Sequence, residues 1–192
     1  MEFGDWFMNI FRLNDDPAIA AREQCDKHVV KMIVESGQML STTHRMHDGW
    51  LTKRPSKSGK TMVKYYVHPE EDMEDILYKA VHFNHPSTVW TGESKQNYMW
   101  HFRHFVELCH EYSYRYGKVH ETEKLIPYLA TPPKNITAWE ETPFKLAMKS
   151  NPECMFPEDP VKSYRLFYQT KQDRFKMVWS KRQIPEWFRK SP

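Results

Sequence analysis

A row of polar side chains recurs at steps of four and three between residues 24 and 45. It contains His28, Lys31 and Glu35, which could serve as general acid, base or phosphate holder. On a helix the row forms one strip, and His28 and Glu35 lie about 10 Å apart by helix rise. The row is either a solvated face or the floor of a site. Its members are Gln24, His28, Lys31, Glu35, Gln38, Thr42 and Arg45.

The helix that carries this row is predicted to begin near Pro17 and to continue to about Met46. Asp15 or Asp16 can cap its first amides, and proline suits a first helical turn. An apolar stripe on the opposite side is expected to face the core. The stripe consists of Ala21, Cys25, Val29, Met32, Ile33, Ser36, Met39 and Leu40.

The rest of the chain predicts three more helices separated by irregular segments. Turn-forming residues followed by a β-prone run favour an exposed hairpin or loop, and closely spaced prolines favour a long loop. In chain order we expect the hairpin or loop at about 50 to 68, a helix from Glu70, a helix from Thr88 to Tyr116 closed by Gly117, the proline-rich loop at about 125 to 160, and a long helix after Asp159 and Pro160.

Length and composition are those of a single globular domain. The chain has 192 residues, of which 40% are hydrophobic and 28% charged. We therefore expect a mostly all-α fold, a compact single-domain helical bundle spanning 1 to 192, with 1 to 7 as a possible N-terminal extension. No apolar run approaches a membrane span of about 20 residues, and the first residues lack a signal-peptide pattern. These features favour a cytoplasmic protein without a membrane partner.

The cysteines and histidines do not form a recognisable metal motif. Three widely spaced cysteines suggest neither a disulfide framework nor a zinc knuckle. The pairs His44/His47 and His101/His104 have chelating spacing but lack a third ligand in sequence. The stretch "SGKT" at 58 to 61 lacks the first glycine of a P-loop. We expect no metal and no cofactor.

Aromatic and basic residues point to a flat, anionic partner. Aromatic residues make up 15% of the chain, and from Val161 onward nine basic residues face two acidic ones. Such a region is compatible with phosphate contact, although a solvated helix with a positive bias explains it equally well.

A second candidate surface lies at the turn "NHPSTVW", residues 84 to 90. His85, Trp90, Lys95 and Asn97 could provide a stacking surface and phosphate donors at a helix N-terminus. The alternative is that Trp90 belongs to the core and His85 caps the helix. Arg182, in the basic C-terminal region, is a further candidate for DNA contact.

Two segments, "MNIFRLNDDPAIAAREQCDKHVVKMIVESGQMLSTTHR" and "HFNHPSTVWTGESKQNYMWHFRHFVELCHEYSYRYGK", resemble a widespread group of small bacteriophage proteins. More remotely they are similar to pyrimidine dimer DNA glycosylases of the endonuclease V type, which are all-helical. The pattern D-x-H-x-x-x-x-x-x-E is carried here by Asp26, His28 and Glu35. The closer resemblance covers most of residues 8 to 188, and the remote one about half.

The resemblance implies a DNA-base-acting enzyme, a glycosylase and lyase working in the infected bacterial host cell on double-stranded, damaged or modified DNA. Glu35 corresponds to the essential carboxylate and His28 to a histidine that contacts DNA. An amine would attack C1′ of a flipped or distorted nucleotide and give an imine. Gln24, Asp26, Gln38, Thr42 and Arg45 are expected to bind the substrate.

The source of that amine leaves alternatives. In the glycosylases it is the α-amine exposed when the initiator Met is removed, and Met1-Glu2 or Met8-Asn9 does not favour removal. The amine is then Lys27 or Lys31, or it arrives as a substrate, or it is missing. An incoming small amine or amino acid would make the protein a DNA-base modifying transferase acting on activated thymine. The third class is a noncatalytic DNA-binding accessory protein.

Overall fold

Two helices of 22 residues each, α2 and α5, pack against each other at the centre of the fold. The computed structural model describes residues 8–190, so the proposed extension at 1 to 7 lies outside the described residues. This part of the chain is compact and mostly helical, as expected. Its α-helices are α1 (Pro17–Arg22), α2 (Asp26–His47), α3 (Glu71–Ile76), α4 (Pro86–Glu93), α5 (Lys95–Tyr116), α6 (Ile126–Leu129) and α7 (Pro160–Gln169), and its 3₁₀ helices are Glu121–Leu125, Pro152–Cys154 and Thr170–Asp173.

A two-stranded antiparallel hairpin follows α2. Strand β1 (Trp50–Pro55) pairs with β2 (Met62–Val67), and the register joins Trp50 to Val67 and Pro55 to Met62. Most of its side chains are exposed. The base of the hairpin approaches the C-terminal end of α2 closely, since a Cβ at Gly49 would lie 2.2 Å from the carbonyl oxygen of Val67.

The first helix is not continuous, which corrects the prediction of one helix from Pro17 to Met46. Asp16 caps α1 by accepting from the amides of Ala18 and Ile19, as expected, but the chain leaves the helix after Arg22.

 The Tyr168 oxygen accepts from the amide of Cys25 at 2.8 Å. The amide of Asp26 donates to the carbonyl of Val178 at 2.8 Å. Partners distant in sequence therefore satisfy the amides at the break.

The helix expected from Thr88 to Tyr116 is also two helices. Ser94 has an extended backbone (φ −152°, ψ 163°), and its hydroxyl accepts from the amide of Asn97, which caps α5. Pro86 opens α4 after His85, two residues earlier than expected. Gly117 ends α5 as expected, with the positive φ of 65° that glycine adopts without a steric penalty.

Two other helices are shorter than expected. The helix expected from Glu70 ends at Ile76, where Leu77 (φ −68°, ψ 140°) begins a nonhelical segment that continues to His85. Backbone groups of that segment bond to side chains of α2, which competes with helix formation. Asp159 caps α7 as expected, but α7 ends at Gln169 and gives way to a 3₁₀ turn.

The proline-rich segment lies along the start of α5. The carbonyls of Ala138 and Trp139 accept from the amides of Lys95 and Gln96. Farther along the same segment, the carbonyl of Ala147 accepts from the side chain of Asn9, which lies before α1. No helix in residues 8–190 combines the length and apolar character needed to cross a bilayer.

Helix α2 is buried on two sides. The predicted apolar stripe is confirmed, because all eight of its members are buried. The polar row is largely buried as well. It is therefore not a solvated face, and it does not form one continuous site either. Five of its members are less than a tenth exposed: Gln24, His28, Glu35, Thr42 and Arg45.

Candidate functional site

A cavity of about 590 Å³ opens beside the N-terminal half of α2. Four parts of the chain enclose it: the segment before α1, the first two turns of α2, the turn before α4, and the end of α7 with its 3₁₀ turn. Residues 147 to 150 of the proline-rich segment complete the wall. The lining residues are Asn9, Phe11, Lys27, His28, Lys31, Asn84, His85, Pro86, Ala147, Met148, Lys149, Ser150, Phe167, Lys171, Arg174 and Phe175.

The charge of the cavity is strongly positive. Lys27, Lys31, Lys149, Lys171 and Arg174 line it, and no aspartate or glutamate is among its described lining residues. The positive groups come from α2, the proline-rich segment and the C-terminal 3₁₀ turn. Such a concentration of positive charge favours an anionic ligand.

Aromatic rings surround His28 on the cavity wall. Its ring centroid lies 4.8 Å from that of Phe11, 5.0 Å from that of Tyr168 and 5.4 Å from that of Phe175. Burial, reinforced by the nearby lysines, lowers the pKa of His28 to about 3. The ring is therefore neutral at physiological pH, and it can exchange hydrogen bonds with a ligand but adds no positive charge.

Lys31 and Glu35 form an ion pair next to the cavity. Lys31 Nζ lies 3.0 Å from Glu35 Oε1, and the amide of Asn9 donates to Glu35 Oε2 at 3.1 Å. Burial raises the pKa of Glu35, although the ion pair and the amide hydrogen bond oppose this shift. Glu35 does not itself line the cavity, so it would act on a ligand through Lys31.

Lys27 and His85, both candidate site residues in the sequence, also line the cavity. Lys27 Nζ lies 4.3 Å from the centre of the Phe175 ring. His85 Nδ1 accepts from the amide of Ser87 at 3.2 Å and so caps α4. Burial lowers the pKa of His85, which keeps its ring neutral. His85 is thus both a helix cap and a wall residue.

Gln24 and Asp26, predicted to bind substrate, have structural partners elsewhere. Gln24 is fully buried, and its Nε2 lies 3.1 Å from Nε2 of His104. Asp26 accepts from Ser180 and from Arg115. Neither residue is part of the cavity wall.

The C-terminal part of the polar row also holds the fold together instead of facing the cavity. Thr42 exchanges hydrogen bonds with the backbone of Val81, its hydroxyl donating to the carbonyl and accepting from the amide. The guanidinium of Arg45 is buried against the carbonyls of four residues and the carboxylate of Glu74. Gln38 is partly exposed and lies outside the cavity lining.

The stacking surface expected at Trp90 is not present. Trp90 is fully buried, its ring centroid lies 4.4 Å from that of Phe144, and its Nε1 donates to the carbonyl of Thr142. Asn97 is buried beside it and donates to the carbonyl of Trp90. The alternative, a core tryptophan with His85 as the cap, is the one confirmed.

Lys95 and Arg182 lie apart from the cavity. Lys95 lines a separate groove at the start of α5, with its Nζ 6.0 Å from the centre of the exposed Trp139 ring. Arg182 makes two hydrogen bonds to the carboxylate of Glu111, at 2.9 and 2.8 Å. This pairing leaves the Arg182 guanidinium less able to contact phosphate.

Several cavity residues were not among the sequence candidates. They come from segments outside the polar row, and only the local excess of basic residues after Val161 hinted at Lys171 and Arg174. The additional wall residues include Asn9, Phe11, Lys149, Phe167, Lys171, Arg174 and Phe175.

No protein-family model, curated protein or solved structure matches this chain. The geometry of the cavity and the chemistry of its residues therefore carry the functional argument.

Proposed function

We propose that the cavity binds a nucleotide of double-stranded DNA and that the protein cleaves its glycosidic bond, as the resemblance to phage proteins and pyrimidine dimer glycosylases implies. The observation that carries this proposal is the combination of five basic residues and three phenylalanines around one cavity. Phosphates are attracted by lysine and arginine, and bases stack on aromatic rings. A base inside the cavity would have to leave the duplex stack.

The Lys31–Glu35 pair supplies the reacting groups in this proposal. Glu35 accepts a proton from the Lys31 ammonium, which is favoured by the raised pKa of the carboxyl. The neutral amine then attacks C1′, the bond from C1′ to the base breaks, and the base leaves with the electron pair and takes a proton from water, whose hydroxide takes the proton held by Glu35. One proton of the attached amine then moves to O4′ as the bond between C1′ and O4′ opens, which gives the protonated imine.

Lys27 is the other lysine of α2 in the cavity wall. It is exposed, and its Nζ lies over the Phe175 ring. Lys31 pairs with Glu35, whereas Lys27 forms no ion pair with a carboxylate in residues 8–190. We therefore assign the nucleophile to Lys31 and phosphate binding to Lys27.

The cavity volume supports a second candidate function. About 590 Å³ lies within the range of pockets that enclose a whole small molecule. A thymine base and a small amine or amino acid could therefore be held together, as a DNA-base modifying transferase requires.

Borohydride trapping on duplex DNA with an abasic site or an ultraviolet dimer tests the proposal. We expect a covalent adduct with the wild type, loss of the adduct in Lys31→Ala, and at least a tenfold slower reaction in Glu35→Gln. Lys27→Ala should still be trapped at saturating DNA. The matched control is Lys124→Ala, which removes a lysine from an exposed ion pair with Glu121.

A wild type that binds DNA but gives no adduct contradicts the glycosylase proposal. Incorporation of a labelled amine into DNA containing activated thymine would then support the transferase. Binding with neither reaction would indicate a noncatalytic accessory protein.

A further inference from the structure

Two histidines and an aspartate meet at the C-terminal end of α2, far from the cavity. His44 and Asp48 are one helical turn apart, and His68 follows β2 of the hairpin. One potential ligand atom from each residue lies within 4.8 Å of the others. By helix rise His44 lies about 24 Å from His28, so this cluster is separate from the proposed DNA site.

Each histidine has a buried ring nitrogen without a hydrogen-bond partner in residues 8–190. These atoms are Nδ1 of His44 and Nε2 of His68, and the side chains belong to residues only 4% and 3% exposed. An unsatisfied buried polar atom costs about 1–3 kcal/mol. A ligand that bonds to both nitrogens would remove that cost.

The surrounding hydrogen bonds orient two of the three side chains. Tyr98 donates its hydroxyl proton to the carbonyl of Leu129, so its oxygen accepts from Nε2 of His44 at 2.8 Å. That arrangement leaves the lone pair of His44 on Nδ1. The Asp48 oxygens accept from the backbone amides of Lys134 and Asn135 at 2.8 and 2.9 Å, which fixes the carboxylate.

His68 requires one rearrangement to bind an ion. Its Nδ1 accepts from the amide of Glu70 at 3.2 Å, which places the proton of the neutral ring on Nε2. Coordination through Nε2 moves that proton to Nδ1 and breaks this long hydrogen bond. Glu70 is exposed, so its amide can bond to water instead.

We propose that His44, Asp48 and His68 bind one divalent transition-metal ion of the Zn²⁺ class. Two imidazoles and one carboxylate are a common ligand set for such ions, with water in the remaining position. Ligand bonds of about 2.0–2.1 Å place neighbouring ligand atoms about 3.4 Å apart in a tetrahedron. Binding therefore requires side-chain rotations that bring the ligand atoms, now within 4.8 Å of one another, to that spacing. The ion joins the end of α2 to the base of the hairpin.

Titration of chelator-treated protein with Co²⁺, followed by visible absorption and by competition with Zn²⁺, tests this site. We expect one ion per chain and a higher melting temperature with Zn²⁺. His68→Ala and Asp48→Asn should each weaken binding at least tenfold and abolish the rise in melting temperature. His110→Ala, at a side chain 64% exposed and outside the cluster, is the matched control.

Two results overturn the proposal. The first is absence of a saturable ion in the wild type at ion concentrations up to about 1 mM, a result that depends on no variant. The second is unchanged affinity in His68→Ala and Asp48→Asn, with circular dichroism verifying that both are folded. Neither result bears on imine trapping at Lys31, so this inference and the proposed function fail separately.

Discussion

Asp26 and Arg115 form an ion pair that joins the first turn of α2 to the last turn of α5, with Arg115 Nη1 2.9 Å from Asp26 Oδ1. Ser180 donates to the same carboxylate through its amide and its hydroxyl. Arg115 is fully buried and also bonds to Glu111. Asp26 therefore holds three parts of the chain together.

Replacing Asp26 with alanine should lower the free energy of unfolding by about 3 kcal/mol. The substitution removes charge-assisted hydrogen bonds and leaves the buried Arg115 with one carboxylate partner. Urea denaturation measures the change. Asp75→Ala, at an exposed position of α3, is the control and should change stability by less than about 0.5 kcal/mol. Equal stability of the two variants would contradict the stabilising role of the Asp26 ion pair and hydrogen bonds.

Arg45→Lys should destabilise the fold by about 3 kcal/mol, because lysine cannot reproduce the forked donors of a buried guanidinium. The guanidinium donates to the carbonyls of Tyr66, Glu74, Leu77 and Tyr78. Thermal denaturation measures the loss, and DNA affinity measured where the variant is folded should be unchanged. The control is Arg54→Lys, at a side chain 48% exposed. Weaker DNA binding by folded Arg45→Lys would instead support the sequence prediction that Arg45 contacts DNA.

Stability should fall as the pH drops below about 6. Burial lowers the pKa of His28 and His104 to about 3 and that of His101 well below its usual value. Between pH 6 and 4 the unfolded chain binds protons at these histidines and the folded chain does not. Each one therefore costs about 1.4 kcal/mol per pH unit in this window.

Urea denaturation between pH 7.5 and 4.5 measures this slope. His104→Gln should reduce the slope by about 1.4 kcal/mol per pH unit. His110→Gln, at an exposed ring, controls for the substitution itself. An unchanged slope in His104→Gln would mean that His104 is protonated in the folded protein.

Arg174→Ala should weaken DNA binding by a similar factor for all sequences. Arg174 is exposed on the cavity wall, where it can neutralise one phosphate. Loss of one phosphate contact reduces the slope of log affinity against log salt by about 1. Fluorescence anisotropy at several salt concentrations measures both quantities. Lys53→Ala, on the exposed hairpin, is the control, and equal effects of the two substitutions would argue against DNA in the cavity.

Local signals in the sequence predicted several helix ends correctly. Asp16 with Pro17, Asp159 with Pro160, and Gly117 act within a few residues of where they stand. The breaks between α1 and α2 and after Ile76 were missed. Backbone groups there bond to residues far away in sequence, such as Tyr168 and Arg45. Local sequence propensity cannot predict those distant partners.

The candidate site was also predicted only in part, because some of its residues are close in sequence and others are not. The spacing of His28, Lys31 and Glu35 placed them on one side of α2; in the structure His28 and Lys31 line the cavity, and Glu35 pairs with Lys31 beside it. Two of the cavity's other walls come from residues 147 to 150 and 167 to 175, which no pattern in the sequence linked to α2. His68 likewise approaches His44 only because the hairpin folds back.

The sequence by itself determined which side chains share a strip of α2, because helical periodicity depends only on spacing along the chain. The tertiary structure decided what each of them faces. Lys31 faces a basic cavity, whereas Thr42 and Arg45 face the backbone of residues 77 to 81. Burial, pKa and the identity of a partner all depend on the segments that cover the helix, and those segments are brought there by long-range packing.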